Sequence, residues 1–251
     1  MHANFVGANA CMQCHQNEFK AWTGSHHQLA MQAANESTVL GNFGNAKFKY
    51  YGIESTFFKR DGKFMVRTDG PDGKLTDYEV KYTFGVSPLQ QYLIEFPGGR
   101  YQSLTIAWDT RPKSEGGQRW FHLYPKEKID SNNQLHWTGL YQNWNMQCAE
   151  CHTTNLHKGY DAAANTYKTT FSEINVSCEA CHGPGSLHVE WAKNAKAPSS
   201  PQYDKGLTVL LQSRWQEAWK FPDANAKYAQ RDKPADPAAM NTCAACHARR
   251  S

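Results

Sequence analysis

Apolar and polar positions alternate most clearly between residues 47 and 123. β-Branched and aromatic residues are concentrated there in short runs, and turn sequences such as RDGK, DGPDGK and FPGGR separate these runs. This pattern predicts an antiparallel β-meander. The segment GGQRWFHLYP follows the last run and is expected to close the sheet.

The regions flanking this meander have a different pattern. Residues 16–34 allow a helical spacing of apolar positions that is interrupted at Gly24, which predicts a short helical arm. Residues 196–206 and 231–240 are rich in Pro, Ala and Lys, as is typical of linkers. Between these linkers, residues 207–219 are compatible with a strand, a helix or one after the other.

The cysteines change the picture, because all eight belong to four copies of one pattern, C-x-x-C-H. A disulfide scaffold needs no histidine at a fixed offset, and a zinc site needs four ligands and gives no reason for four identical units. A c-type haem uses every position, because two thiols form thioethers to the porphyrin and the histidine binds the iron. The sequence therefore predicts four c-type haems.

Each copy of the motif assigns its residues a role. Motifs 1 to 4, numbered from the N-terminus, are residues 11–15, 148–152, 178–182 and 243–247. The predicted thioether cysteines are Cys11, Cys14, Cys148, Cys151, Cys178, Cys181, Cys243 and Cys246. The predicted proximal iron ligands are His15, His152, His182 and His247. No catalytic residue is predicted.

Seven further histidines are available as second axial ligands. His188 follows a Gly-Pro-Gly turn and Ser186, a good helix N-cap, so it is predicted to lie on a short helix and to bind a haem other than the one at Cys178 and Cys181. His26 and His27 are adjacent and local sequence does not separate them. Four other histidines, His122, His136, His157 and His2, have less local support, and Met31, Met65 and Met240 stay open as alternatives.

Charge and hydropathy bear on partners and location. The formal charge is +4, but four ferric bis-imidazole haems of about −1 each would bring it near zero, and the basic residues carry no nucleic-acid signature. No segment approaches the roughly 20 apolar residues of a membrane span. Covalent haem attachment follows export, so we expect a periplasmic or extracellular protein whose signal peptide has been removed.

Several of these motifs resemble a known family. CEACHGPGSLH and WTGSHHQLAM are similar to elements of multihaem cytochromes related to hydroxylamine oxidoreductase and its tetrahaem acceptor. The run from YTFGVSPLQQ to CAECHTTNL resembles the N-terminal half of tetratricopeptide-repeat multihaem cytochromes. The resemblance implies His27 and His188 as distal ligands and supports His122 and His136. Those relatives continue into further haem motifs and helical repeats, whereas this sequence ends at Ser251.

The predicted fold class is α+β, with short helices and loops organised around haems and an inserted β-meander. Four segments are expected within one compact unit: a haem-1 arm at 1–46, a β-rich insert at 47–147, a haem-2 and haem-3 segment at 148–190, and a linker with haem 4 at 191–251.

The expected function is electron transfer through closely spaced bis-histidine haems, with redox proteins or extracellular acceptors as partners and a homo-oligomer or filament as one form of assembly. The alternative is a haem enzyme with one open iron that acts on a small nitrogen or sulfur compound. A third hypothesis is that the β-meander is a docking module and that the haems are its cargo.

Overall fold

A computed structural model describes residues 2–194, 205–211, 221–223, 225–228, 230 and 237–248. The chain divides into two compact units, one of residues 15–177 and one of residues 1–14 together with 178–251. Residues 212–219 of the ambiguous segment, and residues 196–204 and 231–236 of the predicted linkers, lie outside the described part.

The unit of residues 15–177 is built on one large antiparallel sheet, as the alternation of the sequence predicts. Its strands are β1 (Met31–Ala33), β2 (Ala46–Tyr50), β3 (Ile53–Arg60), β4 (Lys63–Asp69), β5 (Leu75–Phe84), β6 (Leu89–Phe96), β7 (Arg100–Ser103), β8 (Ile106–Asp109) and β9 (Arg119–His122). The strand order is β2-β3-β4-β5-β6-β8-β9, with β1 paired to β5 and β7 to β6. Strand β9, from GGQRWFHLYP, lies at the edge where it was expected to close the sheet.

The two faces of this sheet pack into different hydrophobic clusters. Tyr92 and Ile94 of β6 face an aromatic cluster in which the ring of Phe57 stacks on that of Trp120 at 3.5 Å between centroids. Leu93, which points to the opposite face as alternation in a strand requires, belongs to a second cluster. The second cluster also contains residues of haem motif 2.

A β-bulge in β5 determines which of the two clusters the side chains of this strand join. The pairing of β5 with β6 shifts between Val80 and Tyr82. Before the shift, Tyr78 and Val80 pack with the aromatic cluster, and after it Tyr82 and Phe84 pack with the second cluster. A bulge inserts one residue and so changes which face the following side chains meet. Phe84 is thereby placed against motif 2.

Short elements complete this unit. They are α2 (Gln16–Trp22), α3 (Trp144–Gln147), α4 (Ala149–His152), β10 (Tyr160–Asp161) and β11 (Thr166–Tyr167). The helical arm allowed by the sequence stops at Trp22, because Thr23 is extended and Gly24 has a φ of +78°. His26 and His27 therefore lie in turns, and Met31 begins a strand because it pairs with Phe84 of β5.

The other unit is helical in its described part. It contains α1 (Ala8–Met12), α5 (Cys178–His182), α6 (Ser186–Asn194) and α7 (Pro237–His247). Helix α7 begins inside the predicted linker, at a proline, which is well suited to the first position of a helix. Among the residues that the structure describes, no helix is both long and apolar enough to cross a membrane.

Candidate haem-binding sites

All four C-x-x-C-H motifs lie on or beside helical turns. Motifs 3 and 4 are helical throughout their length, within α5 and α7. In motif 1 the N–H of Cys14 donates to the carbonyl of Cys11 at 3.2 Å, and in motif 2 the N–H of Cys151 donates to that of Cys148 at 3.1 Å. Residues three apart in such a turn lie on the same side, so each motif directs its two sulfurs the same way.

The predicted proximal histidine of motif 2 is hydrogen-bonded to the backbone. Nδ1 of His152 lies 2.9 Å from the carbonyl oxygen of Ala30, and its ring is edge-on to Phe84, with 5.5 Å between centroids. An Nδ1–H bonded to a carbonyl places the lone pair on Nε2, which is how proteins orient metal-binding imidazoles. Burial, with a smaller contribution from Cys151, raises the pKa of the neighbouring Cys148 thiol to about 11.

Motif 3 contains a buried carboxylate. The side chain of Glu179 is only 4% exposed. Its Oε1 accepts hydrogen bonds from the N–H groups of Val6 at 2.9 Å and Gly185 at 2.8 Å. Its Oε2 accepts one from the N–H of Gly7 at 2.8 Å, and Gly7 is the residue that caps the start of α1. One side chain of motif 3 thus binds the segment that leads into motif 1.

A second pair of hydrogen bonds supports this attachment. The N–H of Asn4 donates to Oγ of Ser186 at 2.8 Å, and the N–H of Ser186 donates to the carbonyl of Asn4 at 3.1 Å. Ser186 was predicted as the cap of the following helix. It is instead the first residue of α6, and its hydroxyl binds the N-terminal segment.

Motif 4 lies near motif 3 in the same unit. Burial raises the pKa of the Cys181 thiol, and the thiols of Cys243 and Cys178 raise it further. The electrostatic interaction with Cys243 requires that the second cysteine of motif 3 and the first of motif 4 be close. The described part of this unit therefore brings together the thiols of motifs 3 and 4 and the lead-in to motif 1.

His188 lies on α6, where the Gly-Pro-Gly turn was predicted to place it. Its Nδ1 is 2.9 Å from the carbonyl oxygen of Lys205, the same arrangement as at His152. Its ring is stacked with that of Trp191, with centroids 5.6 Å apart and an angle of 16°. The imidazole is therefore oriented by a carbonyl on one edge and by an indole on one face.

The turn that carries His26 and His27 is attached to the chain just before motif 3. The carbonyl of His27 accepts a hydrogen bond from the N–H of Val176 at 3.2 Å, and the indole N–H of Trp22 donates to the carbonyl of Val176 at 2.9 Å. Both imidazoles are exposed. Of the two histidines, His27 makes this backbone hydrogen bond, and His27 is also the one that the family resemblance implies as a distal ligand.

His122 and His136 lie elsewhere, in the β part, and both rings are buried. The Nδ1 of His122 accepts a hydrogen bond from the N–H of Tyr124 at 3.1 Å, and its Nε2 is 3.0 Å from the hydroxyl of Thr105. His136 is held at Nε2 by Asp69 at 3.1 Å and at Nδ1 by Thr138 at 2.8 Å. Both ring nitrogens of each residue are thus engaged within the protein. This geometry does not favour iron ligation by either ring, and their distal role stays a prediction.

The remaining open candidates are scattered. His2 is exposed near the N-terminus, and the backbone of His157 forms a bridge with that of Thr170. Met31 and Met65 are buried in the sheet, whereas Met240 on α7 is 67% exposed.

The donor chemistry of the motifs fits c-type haem. All eight cysteines are present as thiols, and each pair is followed directly by an imidazole. The buried indole N–H of Trp144, which packs in the cluster containing Ala149 beside Cys148, has no hydrogen-bond partner among the residues that the structure describes. A propionate of a bound porphyrin is the kind of acceptor that such a donor requires.

Two residues of these networks were not anticipated from the sequence. Glu179 is a charged residue between two motif cysteines, and the Gly-Pro-Gly that follows it supplies one of the amides it binds. Asp69 ends β4 in an ordinary turn sequence, TDG. Its partner His136 is 67 residues away in sequence, so no local pattern signals the pair.

Comparison with known proteins agrees with this chemistry. The sequence model of the family described as cytochrome c554 and c-prime matches residues 10–50 and 106–183, which include the first three C-x-x-C-H motifs. Strands β3 to β7 all lie within the interval between these two ranges, which the family model does not match. A search of curated protein sequences found no match.

Two solved structures are similar to the chain. The outer cell wall cytochrome OcwA is 20% identical with a TM-score of 0.47, and the match covers 80% of this chain and 36% of that one. An undecahaem cytochrome from the S-layer of Carboxydothermus ferrireducens is 22% identical with a TM-score of 0.44, over 74% of this chain and 22% of that one. The chain thus spans well under half the length of either protein. On its motifs and its family match, this chain is a multihaem c-type cytochrome.

Proposed function

We propose that the chain is a tetrahaem electron-transfer protein of periplasmic or extracellular respiration. Each haem iron, when bound, supplies a one-electron couple whose potential depends on its axial ligands and surroundings. The protein's part is to fix the spacing of the four groups, to orient the imidazoles and to limit access to the irons.

The hydrogen bonds of Glu179 are the observation that carries this proposal. They bind the amides of Val6 and Gly7, at the start of motif 1, to the middle of motif 3. The proximity of Cys181 and Cys243 adds motif 4 to the same unit. Closely spaced attachment sites are what a chain of electron carriers requires.

The proposed proximal ligands are His15, His152, His182 and His247. Among the distal ligands we propose His27 and His188. His188 has the carbonyl-bound Nδ1 that is also found at His152. The backbone of His27 binds that of Val176, which precedes motif 3 by two residues in the sequence. His122 and His136 stay the sequence-predicted distal ligands of the other two haems, although protein groups engage both nitrogens of each ring in this structure.

The proposed partners are redox proteins or extracellular acceptors, and a second copy of the chain, in an oligomer or a filament, is one such partner. The exposed side chains of Cys243 and His247 support a fourth haem that a partner can approach. The proposed location rests on the chemistry of covalent haem attachment, which is completed after export.

Mass spectrometry of the intact protein, produced with a haem-attachment system, tests the haem number. We expect a mass increase of four haems, which falls by one haem in a double variant with both cysteines of one motif changed to serine. Stopped-flow mixing of the reduced protein with an oxidised cytochrome then tests electron transfer. Fewer than four covalent haems, or no transfer, contradicts the proposal.

A further inference from the structure

The β part of the chain contains a cavity of about 230 Å³, whose described lining residues all fall between Tyr50 and Trp137. No cysteine lines it, so it is separate from the haem motifs. Its inner wall consists of buried residues, among them Ser55, Thr105 and His136. Tyr51 and Lys128 are exposed and form part of its rim. A small molecule can therefore reach a buried polar wall from solvent.

One side of this wall is the pair of Asp69 and His136. Nε2 of the imidazole lies 3.1 Å from Oδ2 of the carboxylate. Burial alone would raise the pKa of Asp69, but the hydrogen bond and the charge of His136 outweigh it, and the pKa is lowered. The carboxylate is consequently ionised and paired at neutral pH.

Another part of the lining is formed by His122. The ring of Tyr50 stacks on it, with centroids 3.7 Å apart and an angle of 13°, and burial lowers its pKa to about 4. The neutral ring accepts the N–H of Tyr124 at Nδ1, so its proton is on Nε2 and is donated to the hydroxyl of Thr105. Since Thr105 accepts this bond, its own hydrogen remains to be donated.

The hydroxyl groups of Thr68 and Ser55 form a third part of the lining. Thr68 donates to Oδ1 of Asp69 at 3.1 Å, and its oxygen is 2.8 Å from that of Ser55. Because the hydrogen of Thr68 is used on the carboxylate, Ser55 must donate to Thr68. The oxygen of Ser55 then keeps lone pairs that can accept. The cavity therefore presents a fixed donor at Thr105 and a fixed acceptor at Ser55.

We propose that this cavity is a binding site for a small neutral polyhydroxylated ligand of about monosaccharide size, held by Thr105 as donor and Ser55 as acceptor. A hydroxyl group both donates and accepts, so a ring bearing several hydroxyls matches a wall that offers both. The volume is somewhat below the usual range of ligand pockets, which limits the occupant to a single small ring. Three isoleucines, two tyrosines and Trp137 supply the apolar part of the lining.

Charged ligands match the cavity less well. An anion would meet the ionised carboxylate of Asp69, and a cation would meet the ammonium group of Lys128 at the rim. Among the described residues, no group of three or more His, Cys, Asp or Glu side chains is arranged to hold a metal ion. A neutral ligand avoids both conflicts.

Calorimetric titration of the haem-loaded full chain tests this site. The probes are D-glucose, D-galactose and N-acetyl-D-glucosamine, with sulfate and zinc chloride as charged controls. We expect at least one sugar to bind at one site. Thr105→Val removes the donor while preserving shape and is expected to weaken this binding about tenfold. Thr83→Val, which removes an equally buried hydroxyl outside the cavity, is the matched control and should leave the affinity unchanged.

Ser55→Ala provides a second variant, and it decides the result if Thr105→Val does not fold. Three outcomes overturn the proposal. They are no binding of any sugar in the panel, sugar binding that neither variant weakens, and binding of sulfate or zinc in place of sugar.

Discussion

Oε2 of Glu179 accepts a hydrogen bond from the N–H of Gly7 at 2.8 Å, across 172 residues of sequence. The carboxylate lies in the middle of motif 3, and Gly7 begins the helix that leads into motif 1. Three backbone amides, those of Val6, Gly7 and Gly185, share this buried acceptor. Such charge-assisted bonds are about twice as strong as neutral ones.

Glu179→Gln is therefore expected to loosen the attachment of motif 1 to motif 3. Glutamine replaces one acceptor oxygen by an amide nitrogen that faces an N–H donor. We expect the free energy of unfolding to fall by about 2 kcal/mol, measured by chemical denaturation. Glu190→Gln, on the exposed side of α6, is the control and should change it by less than about 0.5 kcal/mol. Equal stability of the two variants would contradict the role given to Glu179.

Gly41 is predicted to be essential to the aromatic cluster. A Cβ atom there would overlap the hydroxyl of Tyr92, to which the N–H of Gly41 donates, and the ring of Trp120. We expect Gly41→Ala to lower the free energy of unfolding by about 1–3 kcal/mol, as overpacking does. In Gly44→Ala, the added methyl meets only the side chain of Asn42 at 3.1 Å, so this exposed neighbour is the control. A Gly41→Ala variant as stable as the control would mean that the cluster readily rearranges.

The stability of the β part is expected to depend on pH through His122. Burial lowers the pKa of this residue in the folded chain to about 4, below its ordinary value of 6.5. Between these values the unfolded chain binds more protons than the folded one, so stability is full above pH 6.5 and is lost as the pH falls towards 4. The slope contributed is at most about 1.4 kcal/mol per pH unit.

Denaturation curves between pH 7 and pH 4 measure this contribution. His122→Gln should show a shallower loss than the unchanged chain over this interval. Asp69, whose pKa is lowered, contributes stability that is lost only at more acidic pH and so does not confuse the comparison. Identical slopes for the two proteins would show that His122 does not titrate as its burial indicates.

The sheet and the haem motifs are the parts that the sequence predicts well. Alternation and turn sequences are local, and C-x-x-C-H is a contiguous motif. The bulge between Val80 and Tyr82 was not predicted, because it depends on which cluster the following side chains meet. Likewise the strand at Met31 depends on pairing with Phe84, more than 50 residues away in sequence, which overrides its helical spacing.

The prediction of the candidate ligands is limited in the same way, by contacts that are distant in the sequence. His188 could be placed on its helix because the Gly-Pro-Gly turn is adjacent to it. His122 and His136 could be recognised only as histidines among aromatic residues, and that pattern suits a haem surface and a sheet core equally. The partners that separate the two interpretations come from distant parts of the sequence: Thr105 directly precedes β8, and Asp69 ends β4.

His188 supplies a prediction about ligation. If its imidazole binds an iron, His188→Ala leaves one haem five-coordinate, and the ferric spectrum gains a high-spin component. Glu190→Ala, at an exposed position of the same helix, is the control and should leave the spectrum unchanged. A spectrum of His188→Ala without high-spin haem would remove this residue from the proposed ligands.

The central claim, that the haems form a path for electrons and not a catalytic site, is tested most directly by the absorption spectrum of the unmodified protein. The ferric and ferrous forms are recorded before and after carbon monoxide is added. The account predicts wholly low-spin haems whose ferrous spectrum does not respond to the gas. A high-spin fraction that binds carbon monoxide would reveal an open iron and contradict the account.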